Sequence, residues 1–241
     1  MIEKINTKFE EIIVNKYGPS LKKIITEIFP DSYKINIITN MPKLKTWEKK
    51  QEKTFPIFKT RFELHEHIQN KILQDNSVDY LEFGVFEGAT INFWVNQNRN
   101  PKSRFYGFDT FTGLPEEWKN LVGHRPSSTW NCEGNVPEIN DERIQFFKGL
   151  FQNTIDKFLK NYEPQKNIVI HNDSDLYTSS LYLLTRLHDI IKKDTIIIFD
   201  EFNNVMDEFR ALDNYCASYY RKYKVIGVTD DFYQHVAIQF D

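Results

Sequence analysis

The 241 residues carry 31 basic and 34 acidic side chains, a net charge of −3, and are 40% hydrophobic and 15% aromatic. That balance excludes a disordered chain and gives no electrostatic case for nucleic acid or an anionic membrane surface. Only Cys132 and Cys216 are cysteines, which excludes a disulfide framework and a cysteine-rich zinc site.

The N-terminus is charged and lacks the apolar core of a signal peptide, and no apolar run reaches membrane-spanning length. A cytoplasmic location without membrane insertion is expected. Residues 1–29 place Ile5, Phe9, Ile12, Ile13, Leu21, Ile24, Ile25 and Ile28 at helical spacing, broken at Gly18-Pro19. The plain expectation is an amphipathic cap on the main domain; the functional one is a lid or a dimer-contact arm, hence a homodimer. Residues 30–60 are less regular, punctuated by Pro30, Pro42 and Pro56, with Lys43, Lys45, Lys49, Lys50 and Lys53 around Trp47. Such a lysine run is ordinarily a solvated face. The chain therefore divides into a helical cap over 1–60 and a main domain over 61–241.

From Arg61 the pattern is helical to Leu73. Strands are then expected at Val78–Phe83, Phe105–Phe108, Arg143–Lys148, Asn167–His171 and Thr195–Phe199, with helices from Ala89 and over Asn153–Leu159, Leu181–Ile191 and Asp207–Tyr220. Val225–Val228 and His235–Phe240 close the chain as a hairpin. Alternating strands and helices predict an α/β fold with a mostly parallel sheet covered on both faces. Residues 110–140 form a long loop with Phe111, Trp118 and Trp130, and a loop of that length is more often functional than idle.

In such a sheet the ligand lies beyond the carboxyl ends of the strands. Strand one breaks into Gly84 and Gly88; strand two ends on Asp109. That spacing suits an acid that binds a ribose, although Asp109 could instead cap a helix begun at Thr110. Phe86 stands where a dinucleotide fingerprint has its middle glycine, and Glu82 sits at the strand end. Both favour S-adenosylmethionine over NAD, with backbone amides as the alternative partner of Glu82. His171, Asp173 and Asp175 follow strand four; Asp200 and Glu201 follow strand five. Each pair of acids has a local alternative as turn or helix-start residues. Together they predict a cluster that repels itself unless a cation or proton intervenes, and their oxygens favour Mg²⁺, Mn²⁺ or Ca²⁺.

Glu82-Phe-Gly-Val-Phe-Glu-Gly88, Tyr106-Gly-Phe-Asp-Thr-Phe-Thr-Gly-Leu-Pro-Glu116, Lys148-Gly-Leu-Phe151 with Thr154, Asp173-x-Asp175-x-Tyr177 and Asp200-Glu201 occur in this order. Over about residues 60–240 the chain thereby resembles the macrocin/mycinamicin type of sugar O-methyltransferase, class I enzymes dependent on S-adenosylmethionine and Mg²⁺. The resemblance implies a seven-stranded Rossmann-like sheet with one antiparallel strand. It implies a cofactor held by Glu82, Gly84, Gly88 and Asp109, with Thr110 beside them, and a metal (Mg²⁺ or Mn²⁺) held by Asp173, Asp200 and Glu201. The family usually has Asp where this chain has Glu201.

The implied reaction is methyl transfer to a hydroxyl of a small-molecule sugar or glycan acceptor. Asp173 or Asp175 is the expected base, with His171 behind them, and His124 in the long loop is a candidate substrate contact. The alternatives are an NAD- or nucleotide-sugar-dependent oxidoreductase and a non-catalytic S-adenosylmethionine-binding protein.

Overall fold

A computed structural model describes residues 32–51, 55–121 and 123–241; the readings made for residues 1–29 lie outside them. The chain divides into units of residues 1–36 and 37–241, and the sheet belongs to the second. The first elements are α1 (Tyr33–Lys50), β1 (Ile57–Phe58), α2 (Arg61–His67), β2 (Asp79–Phe83), α3 (Ala89–Gln97) and β3 (Arg104–Asp109). A small hairpin of β4 (Trp118–Lys119) and β5 (His124–Arg125) follows, then β6 (Ile144–Lys148), α4 (Phe151–Leu159), β7 (Ile168–Asn172) and α5 (Tyr177–Arg186). The chain closes with β8 (Ile196–Phe199), α6 (Glu208–Ser218), β9 (Tyr223–Thr229) and β10 (Val236–Phe240).

The main sheet has the order β1-β9-β10-β8-β7-β2-β3-β6. Only β10 runs antiparallel to its neighbours β8 and β9. Seven of these strands are the ones expected; the two-residue β1 adds an eighth at the edge, parallel to β9. Strands β2, β7 and β8 are buried along their whole length, which explains their continuous apolar runs.

Register places the chemistry. Phe83 is level with Phe108 on one side and with Asn172 on the other, and Asn172 is level with Phe199. The residues that follow each strand, from Gly84 and Asp109 to Asp173 and Asp200, therefore emerge along one edge of the sheet. Strand β2 leads outward to β3 and β6, whereas β7 lies on its other side. The order reverses between β2 and β7, and in an open α/β sheet such a reversal opens a ligand crevice.

Three helical segments differ from expectation. The segment 33–50 is helical despite Pro42 inside it, because Ile37, Leu44 and Trp47 fall on one buried face. Trp47 packs on Phe202 at 4.9 Å between ring centroids and donates from Nε1 to the Tyr223 hydroxyl at 2.9 Å. That burial outweighs the helix penalty of an internal proline. After α2 the helix widens into a π turn over Ile68–Leu73. Helix α5 also begins earlier than its leucine spacing suggests, at Tyr177. Among the described residues no helix is long and apolar enough to cross a membrane.

Candidate active site

The turn after β2 holds Gly84 at φ +93° and Gly88 at φ +81°, and Phe86 adopts φ +51° where a glycine would be unstrained. The Asp109 carboxylate fixes this turn. Its Oδ2 accepts from the backbone N–H of Val85 at 2.7 Å and of Phe86 at 2.8 Å, and its Oδ1 accepts from Phe111 N–H at 2.7 Å. No helix starts at Thr110, whose hydroxyl instead donates to the Gly113 carbonyl at 2.6 Å. Asp109 is therefore a turn clamp rather than a helix cap. Glu82, almost fully buried, accepts from the Tyr80 hydroxyl at 2.6 Å and faces His171 Nδ1 at 3.5 Å. Its recorded partners are side chains, not backbone amides.

The acids gather where β7 and β8 end. Gly84 brings them against the glycine turn: a Cβ there would overlap the Asp173 carbonyl oxygen. Asp200 Oδ1 faces His171 Nε2 at 3.4 Å and His235 Nε2 at 3.5 Å, and Arg61 Nη1 reaches Asp200 Oδ2 at 3.2 Å. The same Nη1 lies 3.9 Å from Asp173 Oδ2. Burial alone would raise the Asp200 pKa, but the hydrogen bond and charge of His171, with His235 and Arg61, hold it well below the usual carboxylate range. Conversely, burial would lower the pKa of His171, yet the hydrogen bonds to Asp200 and Glu82 lift it to about 10. His171 thus sits between two carboxylates that favour its protonated form.

The remaining acids are pushed the other way. Burial, then the charge of Asp200, raises Asp173; burial, then the charge of Asp173, raises Asp175. Asp175 sits at φ +57°, a conformation aspartate tolerates better than most residues. Burial and Asp200 raise Glu201 to about 7, and Gln234 donates to its Oε1 at 3.2 Å. The Glu201 backbone N–H donates to Glu208 Oε2 at 3.0 Å, while the buried Glu208 Oε1 has no hydrogen-bond partner among the described residues.

One cavity of about 380 Å³ joins the two halves. Glu82, Gly84, Asp109 and Thr110 line one part; Asp173, Asp175, Asp200, Glu201 and Arg61 line the other. Trp130, Leu150 and Phe151 supply apolar wall. Oxygen-rich ligands beside a deep cleft suit a hard divalent cation, and ligand atoms of His171, Asp173 and Asp200 lie within 4.8 Å of one another. Both nitrogens of His171 already face carboxylates, and Glu201, expected from sequence as a ligand beside Asp173 and Asp200, is outside that group but lines the same cavity.

Residues 54–228 match the family model described as Macrocin-O-methyltransferase (TylF). The chain belongs to this family. It is therefore an S-adenosylmethionine-dependent O-methyltransferase, which decides against both the oxidoreductase and the non-catalytic alternatives. The O-methyltransferase NovP shares 20% identity and a TM-score of 0.57, over 74% of this chain and 78% of that one. The calicheamicin methyltransferase CalS11 shares 19% identity and a TM-score of 0.55, over 88% of this chain and 94% of that one. These likenesses bear out the Rossmann-like methyltransferase fold. No curated protein sequence matches the chain.

Within this methyltransferase, Glu82, Gly84, Asp109, Thr110, Asp173, Asp175, Asp200 and Glu201 all line the cavity. Gly88 and His171 are not in its lining: Gly88 starts α3, where a Cβ would press on Pro137, and His171 is fully buried. His124 lies in the exposed β5, with Nε2 3.6 Å from Glu117, and does not line the cavity either. Arg61 was missed. Its one local sign, a cation in the first turn of a helix opposing the dipole, does not say where its partner lies.

Proposed function

We propose that this enzyme methylates a hydroxyl of a sugar-type acceptor with the help of Mg²⁺ or Mn²⁺. The observation that carries the reading is the backbone contact of Gly84 with Asp173, which sets the glycine turn against the acid cluster in one cavity. The similar structure of CalS11, a TDP-rhamnose 3'-O-methyltransferase, supports the choice of a sugar acceptor.

In this reading Glu82, Gly84, Thr110 and Asp109 hold S-adenosylmethionine, which supplies the electrophilic methyl group. Asp109 still has lone pairs for ribose hydroxyls after taking three amide protons. Asp173, Asp200 and Glu201 hold the divalent cation, which supplies positive charge that acidifies a neighbouring hydroxyl. Asp175, in the same cavity but outside that set, takes the acceptor proton on a carboxylate oxygen. His171 holds Asp200 and Glu82 in place. Trp130, Leu150 and Phe151 keep water from the transfer path. The division into a cap over 1–60 and a methyltransferase domain over 61–241 belongs to the same proposal; Trp47 ties part of that cap to the domain.

Methyl transfer from labelled cofactor to a panel of sugars and nucleotide sugars, before and after chelation, tests it. Activity that EDTA abolishes and Mg²⁺ restores is expected. Asp200→Asn should lose turnover yet bind S-adenosylhomocysteine as the wild type does. Full activity in EDTA, unaltered by added Mg²⁺, would sink the metal role.

A further inference from the structure

Among the described residues Arg61 is the one cation of the cavity wall, the proposed reaction does not use it, and its position is hard to explain by local structure. It is the first residue of α2, after the Thr60 cap, where a positive charge opposes the helix dipole. Its guanidinium reaches across the fold to residues far away in sequence. The recorded polar contacts all use one nitrogen: Nη1 lies 3.3 Å from Asp200 Oδ1, 3.2 Å from Asp200 Oδ2 and 3.9 Å from Asp173 Oδ2.

The two oxygens of Asp200 are not equivalent. Oδ1 is shared with His171 and His235, at 3.4 and 3.5 Å. Oδ2 is recorded among the described residues only with Arg61. Oδ2 is therefore the oxygen open to a further ligand, and Nη1 lies beside both it and Asp173 Oδ2. A divalent cation bonds such oxygens at roughly 2.0–2.6 Å, so an ion shared by these two would come within a few ångströms of the guanidinium and repel its charge. Occupancy by one disfavours the other.

We propose that Arg61 competes with the divalent cation for Asp200 and Asp173, so that cation binding requires the guanidinium to withdraw from Asp200 into the cavity. The proposal rests on the reading of Asp173, Asp200 and Glu201 as cation ligands. Room for withdrawal exists: the Arg61 side chain is 32% exposed and lines the cavity. Arg61 thereby neutralises the acid cluster in the metal-free enzyme and weakens its affinity for the ion. Because coupling is reciprocal, cation binding loosens Arg61 by the same factor by which Arg61 weakens the cation.

The test is direct binding of Mn²⁺ to the full chain, followed by the electron paramagnetic resonance of the free ion, with no acceptor present. Compared are the wild type, R61M, R61Q and R61K, each checked for wild-type affinity toward S-adenosylhomocysteine. R61M and R61Q should bind Mn²⁺ at least about tenfold more tightly than the wild type, and R61K should stay within about threefold of it, since it keeps the charge. Unchanged or weaker binding in R61M and R61Q, with Mn²⁺ still bound by the wild type, overturns the competition and leaves the metal reading standing. No Mn²⁺ binding by any of the four overturns both.

Discussion

Gly84 and Asp173, which end adjacent parallel strands, touch through their backbones: the Gly84 Cα faces the Asp173 carbonyl, and Asp173 N–H donates to the Phe83 carbonyl at 2.9 Å. A side chain at residue 84 would meet backbone rather than a flexible neighbour, and φ +93° is strained for any other residue. Gly84→Ala is therefore expected to lower stability by roughly 3 kcal/mol and to weaken cofactor binding by more than about tenfold. Urea denaturation and calorimetry with S-adenosylhomocysteine measure the two effects. A variant with wild-type values for both would mean that the turn and β7 are not in contact.

Asp109 presents only acceptors to three backbone N–H groups. Asparagine has the same shape, but one of its two groups is a donor and would face an amide N–H. Asp109→Asn should therefore fail to rescue. Both Asp109→Asn and Asp109→Ala should weaken cofactor binding by about a hundredfold or more and lower stability by roughly 1–3 kcal/mol. An asparagine variant that binds the cofactor like the wild type would remove the turn-clamp role.

How far the sequence foretold this arrangement depended on whether the signal was local. The buried strands were legible because a continuous apolar run bounded by turn residues is written in neighbouring positions; β7 at 168–172 lies one residue from the expected 167–171. The acids at 173, 175, 200 and 201 were legible because residues after parallel strands share one edge. Arg61 was not, because its partner Asp200 is separated from it by 139 residues. Helix α1 was obscured by Pro42 and by lysines around Trp47, and its stabilising contacts come from Phe202, Phe209 and Tyr233 near the other end of the chain. His171, a candidate base ranked behind Asp173 and Asp175, lies level with Glu82 inside the sheet.

Asp79 begins the strand that Gly84 follows, and it marks the opposite pole of the domain. Its buried carboxylate accepts from Arg104 Nε and Nη2 at 2.7 and 2.6 Å, from the Tyr162 hydroxyl at 2.7 Å and from Gln165 N–H at 2.8 Å. With every oxygen engaged by protein, this acid is structural. Asp79→Ala should lower stability by about 3 kcal/mol, since the loss removes the acceptor of Arg104 Nε, the Tyr162 hydroxyl and the part-buried Gln165 amide. Its kcat and cofactor affinity, measured well below the unfolding transition, should stay within about twofold of wild type. A large fall in kcat without loss of stability would contradict the separation of the two poles.

Glu201 gives a pH dependence with a definite sign. Burial and the charge of Asp200 raise its folded pKa to about 7, against about 4.3 in an unfolded chain. The folded state therefore binds the extra proton between these values. The stability associated with it is complete below about pH 4.3 and is lost as pH rises through about 7. In EDTA, the wild type should lose stability relative to Glu201→Gln between pH 5 and pH 8. The difference should be on the order of 2 kcal/mol once solvent screening at the cavity is allowed for. Glutamine retains an oxygen to accept from Gln234, so the comparison isolates the charge. Urea midpoints of the two proteins at five pH values measure it. Parallel curves for wild type and Glu201→Gln would show that Glu201 is ionised throughout and that the cavity does not hold its proton.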